Sequence, residues 1–358
     1  MRSEKSNVNH ICGTVKTVPY KTNPCWHKFA GDHIGSPLHK FILKKIERVF
    51  IMPKKITKAV ILAGGLGTRM LPIAKSVPKE MLPIVDKPAM QYNIEEAVAS
   101  GITDILIITN RDKSAIENYF DHSPEYEYIL QKKGGEKNLK NLEIIKNIPY
   151  MANIYYIRQK EAKGLGHAVL CAKSFVGDDD FIVMYGDDVI IGDIPATKEL
   201  IDVYEKNNGN ISVAAVKEVP IEQVKIYCSL KVTPAANCDD NTEFYVYDMN
   251  EKPKTDAEIF SNYAILGRVL LTPEIFGIIE NQKPGAGNEI QITDSMKTLA
   301  RLADENKSEP AKMIAKVFSG ERHDMGSKLG FLRANVIEGL KHPEIGEDFR
   351  KFLEENLY

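Results

Sequence analysis

From residue 56 onward, short apolar runs alternate with amphipathic stretches. Residues 59–62, 104–109, 154–157, 181–185 and 211–216 are brief and almost wholly apolar, which is how strands covered on both faces read. Helical patterns lie between them. Residues 90–100 carry Ile94, Ala97 and Val98 on one face and end at Gly101. Residues 113–120 and 166–175 read as helices, as do residues 197–207, stopped by Asn208-Gly209. Segment 126–147 is polar and lysine-rich and predicts helix with a loop at Gly134-Gly135. This alternation predicts βαβ units. The expected fold is therefore α/β, with a doubly wound, mostly parallel sheet and right-handed crossovers.

After Val219 the rhythm changes. Residues 227–232, 243–248 and 259–266 read as strands, with a polar loop at 234–242. They predict a small antiparallel extension that makes the sheet mixed. A strand at 314–318 and helices at 272–280, 291–304, 328–339 and 347–355 complete the pattern. No internal repeat or low-complexity linker divides it, so one domain with an insertion is expected.

Residues 1–51 do not share this rhythm. They hold four of the eight His, the only Trp (Trp26) and nine Lys/Arg against three Asp/Glu. Residues 41–52 could form a short basic amphipathic helix, a membrane-surface or arm-like feature. The alternative is an extension outside the fold. We expect the latter, a disordered extension before a folded domain spanning 52–358.

Composition narrows the class. Of 358 residues, 43% are hydrophobic and 27% charged, ordinary for a globular chain with a large core. A net charge of −2 gives no argument for a nucleic-acid or acidic-membrane partner. No apolar run approaches the length of a membrane span, and no signal peptide is evident. The five Cys are scattered without CxxC or zinc spacing, which favours free thiols and a cytoplasmic location.

The chemistry concentrates where strands end. After the run 59–62 comes Ala63-Gly64-Gly65-Leu66-Gly67-Thr68-Arg69, and ten residues later Lys79. A glycine loop leaving a buried strand can cradle phosphate with backbone N–H groups, and Arg69 and Lys79 add cations. Steric demand alone also places Gly in such turns. Met70 replaces the third Gly of a dinucleotide fingerprint, and no Gly-Lys-Ser/Thr of a Walker A loop follows. Gln159, after strand 154–157, offers a donor and an acceptor suited to a base edge, and Gly164 and Gly166 allow close approach to a flat ring. His167 reads as a helix N-terminal residue. Asp187, in Gly186-Asp187-Asp188, is a hard oxygen donor for Mg²⁺ or simply a turn residue. Glu251-Lys252-Pro253 reads either as a sugar-phosphate clamp or as a solvated turn.

Taken in order, residues 63–69, PKEMLP at 78–83, RQ with AKGLGHAV at 158–169, SNYAILGR at 261–268, PGAGNEIQITD at 284–294 and RHDMG at 322–326 resemble the bacterial sugar-nucleotide pyrophosphorylases that join UTP to glucose 1-phosphate. The resemblance covers about residues 55–357. It implies a Rossmann-like GT-A nucleotidyltransferase fold and Mg²⁺-dependent transfer of UMP to glucose 1-phosphate. It also implies a homo-oligomer, dimer or tetramer. Arg69 and the loop (Ala63, Gly64, Gly65, Gly67, Thr68) would hold the leaving pyrophosphate, with Lys79 near the reacting centre. Gln159 and Gly164 would meet the uracil. Asp187, chosen over Asp188, and Asp324 would hold Mg²⁺. Lys252 would orient the sugar phosphate and Glu251 the hexose, with Asn262, and with Glu289 and Asp294 as candidate walls. Glu289 and Asp294 read equally as helix N-terminal residues. Where the family usually has Gly, this chain has Cys228, which could crowd the hexose. A thymidylyltransferase would use the same residues, and a nucleotide-sugar sensor could keep the pocket without turnover.

Overall fold

The computed structural model of the chain describes residues 53–235, 241–303 and 311–356. The expectation for residues 1–51 lies outside them. In chain order the strands are β1 (Lys58–Leu62), β2 (Pro83–Ile84), β3 (Lys87–Pro88), β4 (Asp104–Thr109), β5 (Asn153–Arg158), β6 (Phe181–Tyr185) and β7 (Asp188–Ile191). They continue with β8 (Ser212–Glu218), β9 (Cys228–Pro234), β10 (Glu243–Glu251), β11 (Tyr263–Leu271), β12 (Met313–Val317) and β13 (Glu321–Asp324). Nine of them build one sheet in the order β5-β4-β1-β6-β11-β8-β12-β10-β9. The pairs β1–β4, β1–β6, β4–β5 and β8–β12 are parallel; β11 and β10 run against their neighbours.

The apolar runs are continuous because both faces of the sheet are covered. On β1, Ala59 and Ile61 join a core with helices Ala89–Ala99 and Ala196–Lys206, through Met90, Ile94, Leu200 and Tyr204. Val60 and Leu62 point the other way, toward helices Leu165–Leu170, Glu274–Asn281 and Ile292–Ala300. Successive side chains on a strand alternate faces, so each run feeds two cores at once. The chain leaves β1 for β4 and β5 on one side and returns as β6 on the other. The carboxyl ends of β1 and β6 therefore flank the switch point, where open α/β sheets bind ligands.

Two expectations need correction. The strand expected at 259–266 is not part of the extension. β11 runs to Leu271 and lies in the middle of the sheet, between β6 and β8. Gly267, at φ 75°, sits in a register shift between Ile265 and Val269, so a glycine that reads as a strand end is an interior bulge. The extension itself is the β9–β10 hairpin at the sheet edge. The helix expected at 166–175 is broken into Leu165–Leu170 and Lys173–Val176. Residues 322–324 belong to β13, paired antiparallel with β7 so that Asp324 lies opposite Asp188. This two-stranded sheet packs with Met70, Leu82 and helix Lys328–Lys341 in a third apolar cluster.

Candidate active site

Ala63 closes β1 by donating its N–H to Ile108 O at 2.8 Å, and the glycine loop then turns away over Lys79. A Cβ on Gly65 would lie 3.8 Å from Lys79 Nζ, and one on Gly67 would lie 3.6 Å from its Cγ and 3.3 Å from Ala74 Cβ. The loop thus rests on the lysine stem, and Gly67 takes φ 67° to do so. Lys79 Nζ ion-pairs with Asp187 Oδ2. Burial alone would pull the ammonium down, but Asp187 and Glu80 outweigh it and hold Lys79 above the ordinary lysine range. Burial likewise disfavours the Asp187 carboxylate; Lys79 and Arg69 overcome that and hold it below the usual carboxylate range. Glu80, fully buried, receives Lys113 Nζ on both oxygens, at 2.8 and 2.7 Å.

Arg69 rides on the turn Thr68–Met70, anchored by buried Met70, with its guanidinium 65% exposed. It lies 4.0 Å from Asp187 and 3.7 Å from Asp324. The two carboxylates share a focus beside Gly326. A Cβ there would press on Asp187 Oδ2 and lie 3.0 Å from Asp324 Oδ1 and 2.9 Å from Arg69 Nη2. No group of three or more acidic, His or Cys side chains suited to a metal occurs among the described residues. Two carboxylates are nevertheless the donor set Mg²⁺ takes when phosphate oxygens and water complete its shell. Asp188 points elsewhere, held by Arg322 at 2.6 and 2.8 Å. Burial pushes its carboxyl up to about 6, with Arg322 opposing and Asp187 and Asp324 adding to the rise. Arg322 also donates to Tyr227 Oη at 3.1 Å.

Behind the Asp187 turn stands a buried ion pair. Arg268, with no exposed surface, donates to Glu96 at 2.6–3.1 Å, to Asn93 Oδ1 at 2.7 Å and to Asp188 O at 3.0 Å. Asn93 Nδ2 donates to Gly186 O at 3.0 Å. Both carbonyls flanking Asp187 are therefore held from the core.

At the end of β5, Gln159 comes beside Gly64, where a Cβ would lie 3.0 Å from Gln159 Oε1. Gly164, at φ 98°, leaves no room for a side chain: its Cβ would lie 2.7 Å from Ile290 O. Opposite, Glu251 ends β10 and faces Cys228, which opens β9. Lys252 takes φ 47°, donates its N–H to Tyr227 O at 2.8 Å, and brings Nζ to 3.6 Å from Glu251. Burial raises the Glu251 carboxyl, against Thr293 and Lys252. Cys228 is 3% exposed, and burial pushes its thiol well up, so the sulfur is protonated. These groups line one cavity of about 720 Å³.

The sequence model of the nucleotidyl transferase family matches residues 58–335. The chain belongs to the nucleotidyl transferase family. It is 44% identical over 302 residues to the UTP–glucose-1-phosphate uridylyltransferase of Staphylococcus epidermidis, covering 84% of this chain and 99% of that one. A crystal structure of UDP-glucose pyrophosphorylase complexed with UDP-glucose superposes with TM-score 0.69 at 37% identity, covering 80% of this chain and all of that one. A UTP-bound enzyme of the same name from Acinetobacter baumannii gives TM-score 0.71 at 35% identity, covering 84% and 100%.

Of the residues singled out in the sequence of this nucleotidyl transferase, Gly64, Gly65, Gly67, Thr68, Arg69, Lys79, Gln159, Gly164, Asp187, Cys228, Glu251, Lys252 and Asp324 all line the cavity, as does Glu289. Two depart. Ala63 is fully buried with its N–H committed to Ile108, so it has no amide left for a phosphate. Asn262 precedes β11 and donates to Glu218 at 2.5 Å, off the cavity wall. Asp294 lies in the first turn of helix Ile292–Ala300 and is also off the wall. Sequence reasoning missed Glu80, Tyr185, Tyr227, Thr293 and Arg322, all on the wall. Glu80 and Arg322 lay inside quoted motifs; a charged residue next to Lys79 and another two before Asp324 were the available signals.

Proposed function

We infer that this chain transfers UMP from UTP to α-D-glucose 1-phosphate, releasing pyrophosphate and forming UDP-glucose. One observation carries the reading. A single cavity joins a glycine loop with cations, two converging carboxylates, an amide at a glycine-walled slot, and a carboxylate–lysine pair. The uridylyltransferase relatives support the substrates. The thymidylyltransferase alternative has a distant neighbour at 23% identity and TM-score 0.58, a likeness of fold alone.

An oxygen of the sugar phosphate attacks the α-phosphorus of UTP. That P–O bond forms as the bond to the bridging oxygen breaks, and pyrophosphate leaves. The attacking phosphate is already anionic, so no strong base is needed. The residues position groups and offset charge. Residues 64–67 and Arg69 hold the departing phosphates. Lys79 reaches the α-phosphate from below the loop. Lys252 orients the incoming phosphate and Glu251 accepts hexose hydroxyls. Asp187 and Asp324 would hold Mg²⁺, which would supply positive charge to offset that of the phosphates. Residues 1–51 lie outside this machinery; in support, the family match begins at residue 58. A chain shortened to begin at Met52 is expected to keep full activity.

Pyrophosphate release tests the reading, with UTP, dTTP and GTP each offered with glucose 1-phosphate. UTP is expected to be strongly preferred. Preference for dTTP would favour the thymidylyltransferase, and no release with any pair would favour a sensor.

A further inference from the structure

The amide of Gln159 stands in a defined orientation. Its Nε2 donates to Gly164 O at 3.2 Å and meets His167 Nδ1 at 2.9 Å. A carbonyl can only accept, so the nitrogen end must face Gly164. That amide nitrogen carries two hydrogens, and the second is directed at the imidazole. Nδ1 therefore accepts, and the ring proton sits on Nε2. Both donors of Gln159 are thereby used. Its Oε1 bonds no donor among the described residues and faces the space that Gly64 leaves open. The side chain offers the cavity an acceptor alone, not the donor and acceptor expected of a free amide.

We propose that His167 is a positioning residue that fixes the Gln159 amide and thereby sets the choice of base. This rests on the uridylyltransferase reading. A lone acceptor pairs with an imino N3–H, as in uracil and thymine. Cytosine carries a lone pair at N3, which the same oxygen repels. Turning the amide over would present a donor and admit cytosine, but would set Oε1 against Gly164 O. With His167 removed, only the longer bond to Gly164 holds the amide, and one Nε2 hydrogen loses its partner.

The test compares His167→Ala and His167→Asn with the unaltered protein, using UTP, dTTP and CTP. A hydrogen bond of ordinary net worth corresponds to about a three- to tenfold effect. His167→Ala should raise KM for UTP by about that factor and leave kcat within about twofold. The ratio of kcat/KM for UTP over CTP should fall by about the same factor. His167→Asn, whose Oδ1 can take the place of Nδ1, should recover most of both. A melting curve checks that each variant folds. If His167→Ala leaves KM and the UTP/CTP ratio unchanged, or if Asn does no better than Ala, the proposal fails. Calorimetric titration with UTP and CTP, without sugar phosphate, reads the same preference as affinity. Absence of turnover in the unaltered protein would overturn the functional reading. The calorimetric UTP/CTP ratio would still decide the role of His167.

Discussion

The cavity has two halves built on different principles. The half proposed to hold the phosphates sits at the carboxyl ends of β1 and β6, in the centre of the sheet, and most of its charges come in buried pairs: Lys79 with Asp187, Asp188 with Arg322, Glu80 with Lys113. Arg268 and Glu96 back it from the core. The half proposed to hold the sugar hangs on the β9–β10 hairpin at the sheet edge. There Lys252 is 56% exposed and 3.6 Å from Glu251. The difference matches the two tasks. Charge develops and moves at the phosphates, where preorganised partners act most strongly and reorganise least. On this proposal, hexose hydroxyls, which are neutral, meet groups held at the sheet edge.

Breaking the support of the phosphate half should cost most. Arg268→Leu leaves the Glu96 carboxylate buried without its cation, frees the Asp188 carbonyl and takes the donor from Asn93 Oδ1, the side chain that holds Gly186 O. Loss of one partner of such a pair costs about 3–5 kcal/mol, to be read by chemical denaturation. The double variant Arg268→Leu/Glu96→Leu should recover part of that loss, because no lone charge remains. A single variant as stable as the parent would remove the distinction between the halves. Next is Asp187→Ala, which leaves the core intact but takes away the central carboxylate. Turnover should fall by about 10²–10³, and the melting temperature should fall less than in Arg268→Leu, because Lys79 lines the open cavity and keeps Glu80 beside it. Chelation of divalent ions should stop the unaltered enzyme, and Mg²⁺ should restore it. Near-normal turnover in Asp187→Ala would displace the reaction centre from this turn.

The contrast between the halves also governs what the sequence reveals. Strands buried on both faces read as unbroken apolar runs, so β1, β4 and β6 are visible within a residue of their observed ends. The phosphate loop is visible because glycine, arginine and lysine at a strand end have few other uses together. Partners distant along the chain are not visible. Nothing near Glu80 names Lys113, and nothing near Asp188 names Arg322. Arg268 reads as lying just past the end of an edge strand, because the bulge at Gly267 mimics an ending. Its place between Asn93 and Glu96 follows from sheet order, which crossovers set and local pattern does not. The errors at Ala63 and Asn262 have one origin: adjacency to a motif says nothing about whether an amide is already bonded.

In the sugar half, Lys252→Ala removes an exposed cation rather than a buried one. Losing a charge-assisted hydrogen bond to the sugar phosphate corresponds to about 10- to 100-fold in kcat/KM for glucose 1-phosphate. The KM for UTP and the stability should stay close to the parent's, because no core group loses a partner. Equal loss toward both substrates would place Lys252 on the nucleotide phosphates and erase the boundary between the halves.

The smallest effect is expected at Cys228, and it decides whether the sugar half is selective at this point. The sequence suggests that a side chain here crowds the hexose. The structure places Cys228 on the cavity wall but packs it among Leu230, Val246 and Met249 of the second core, with 3% of its surface exposed. Its thiol, kept protonated by burial, is a poor nucleophile as well as a poor contact. Cys228→Gly should therefore act mainly on the strand. A glycine in β9 gives up packing and adds backbone freedom, at a cost of about 1 kcal/mol. The KM for glucose 1-phosphate should move by less than about threefold, on the reasoning that a wall residue with almost no exposed surface contributes less than one ordinary hydrogen bond. Comparing glucose 1-phosphate with galactose 1-phosphate across the two proteins completes the test. If Cys228→Gly lowers KM tenfold or opens the site to the second sugar, the sulfur does narrow the pocket, and the edge of the sheet carries selectivity there.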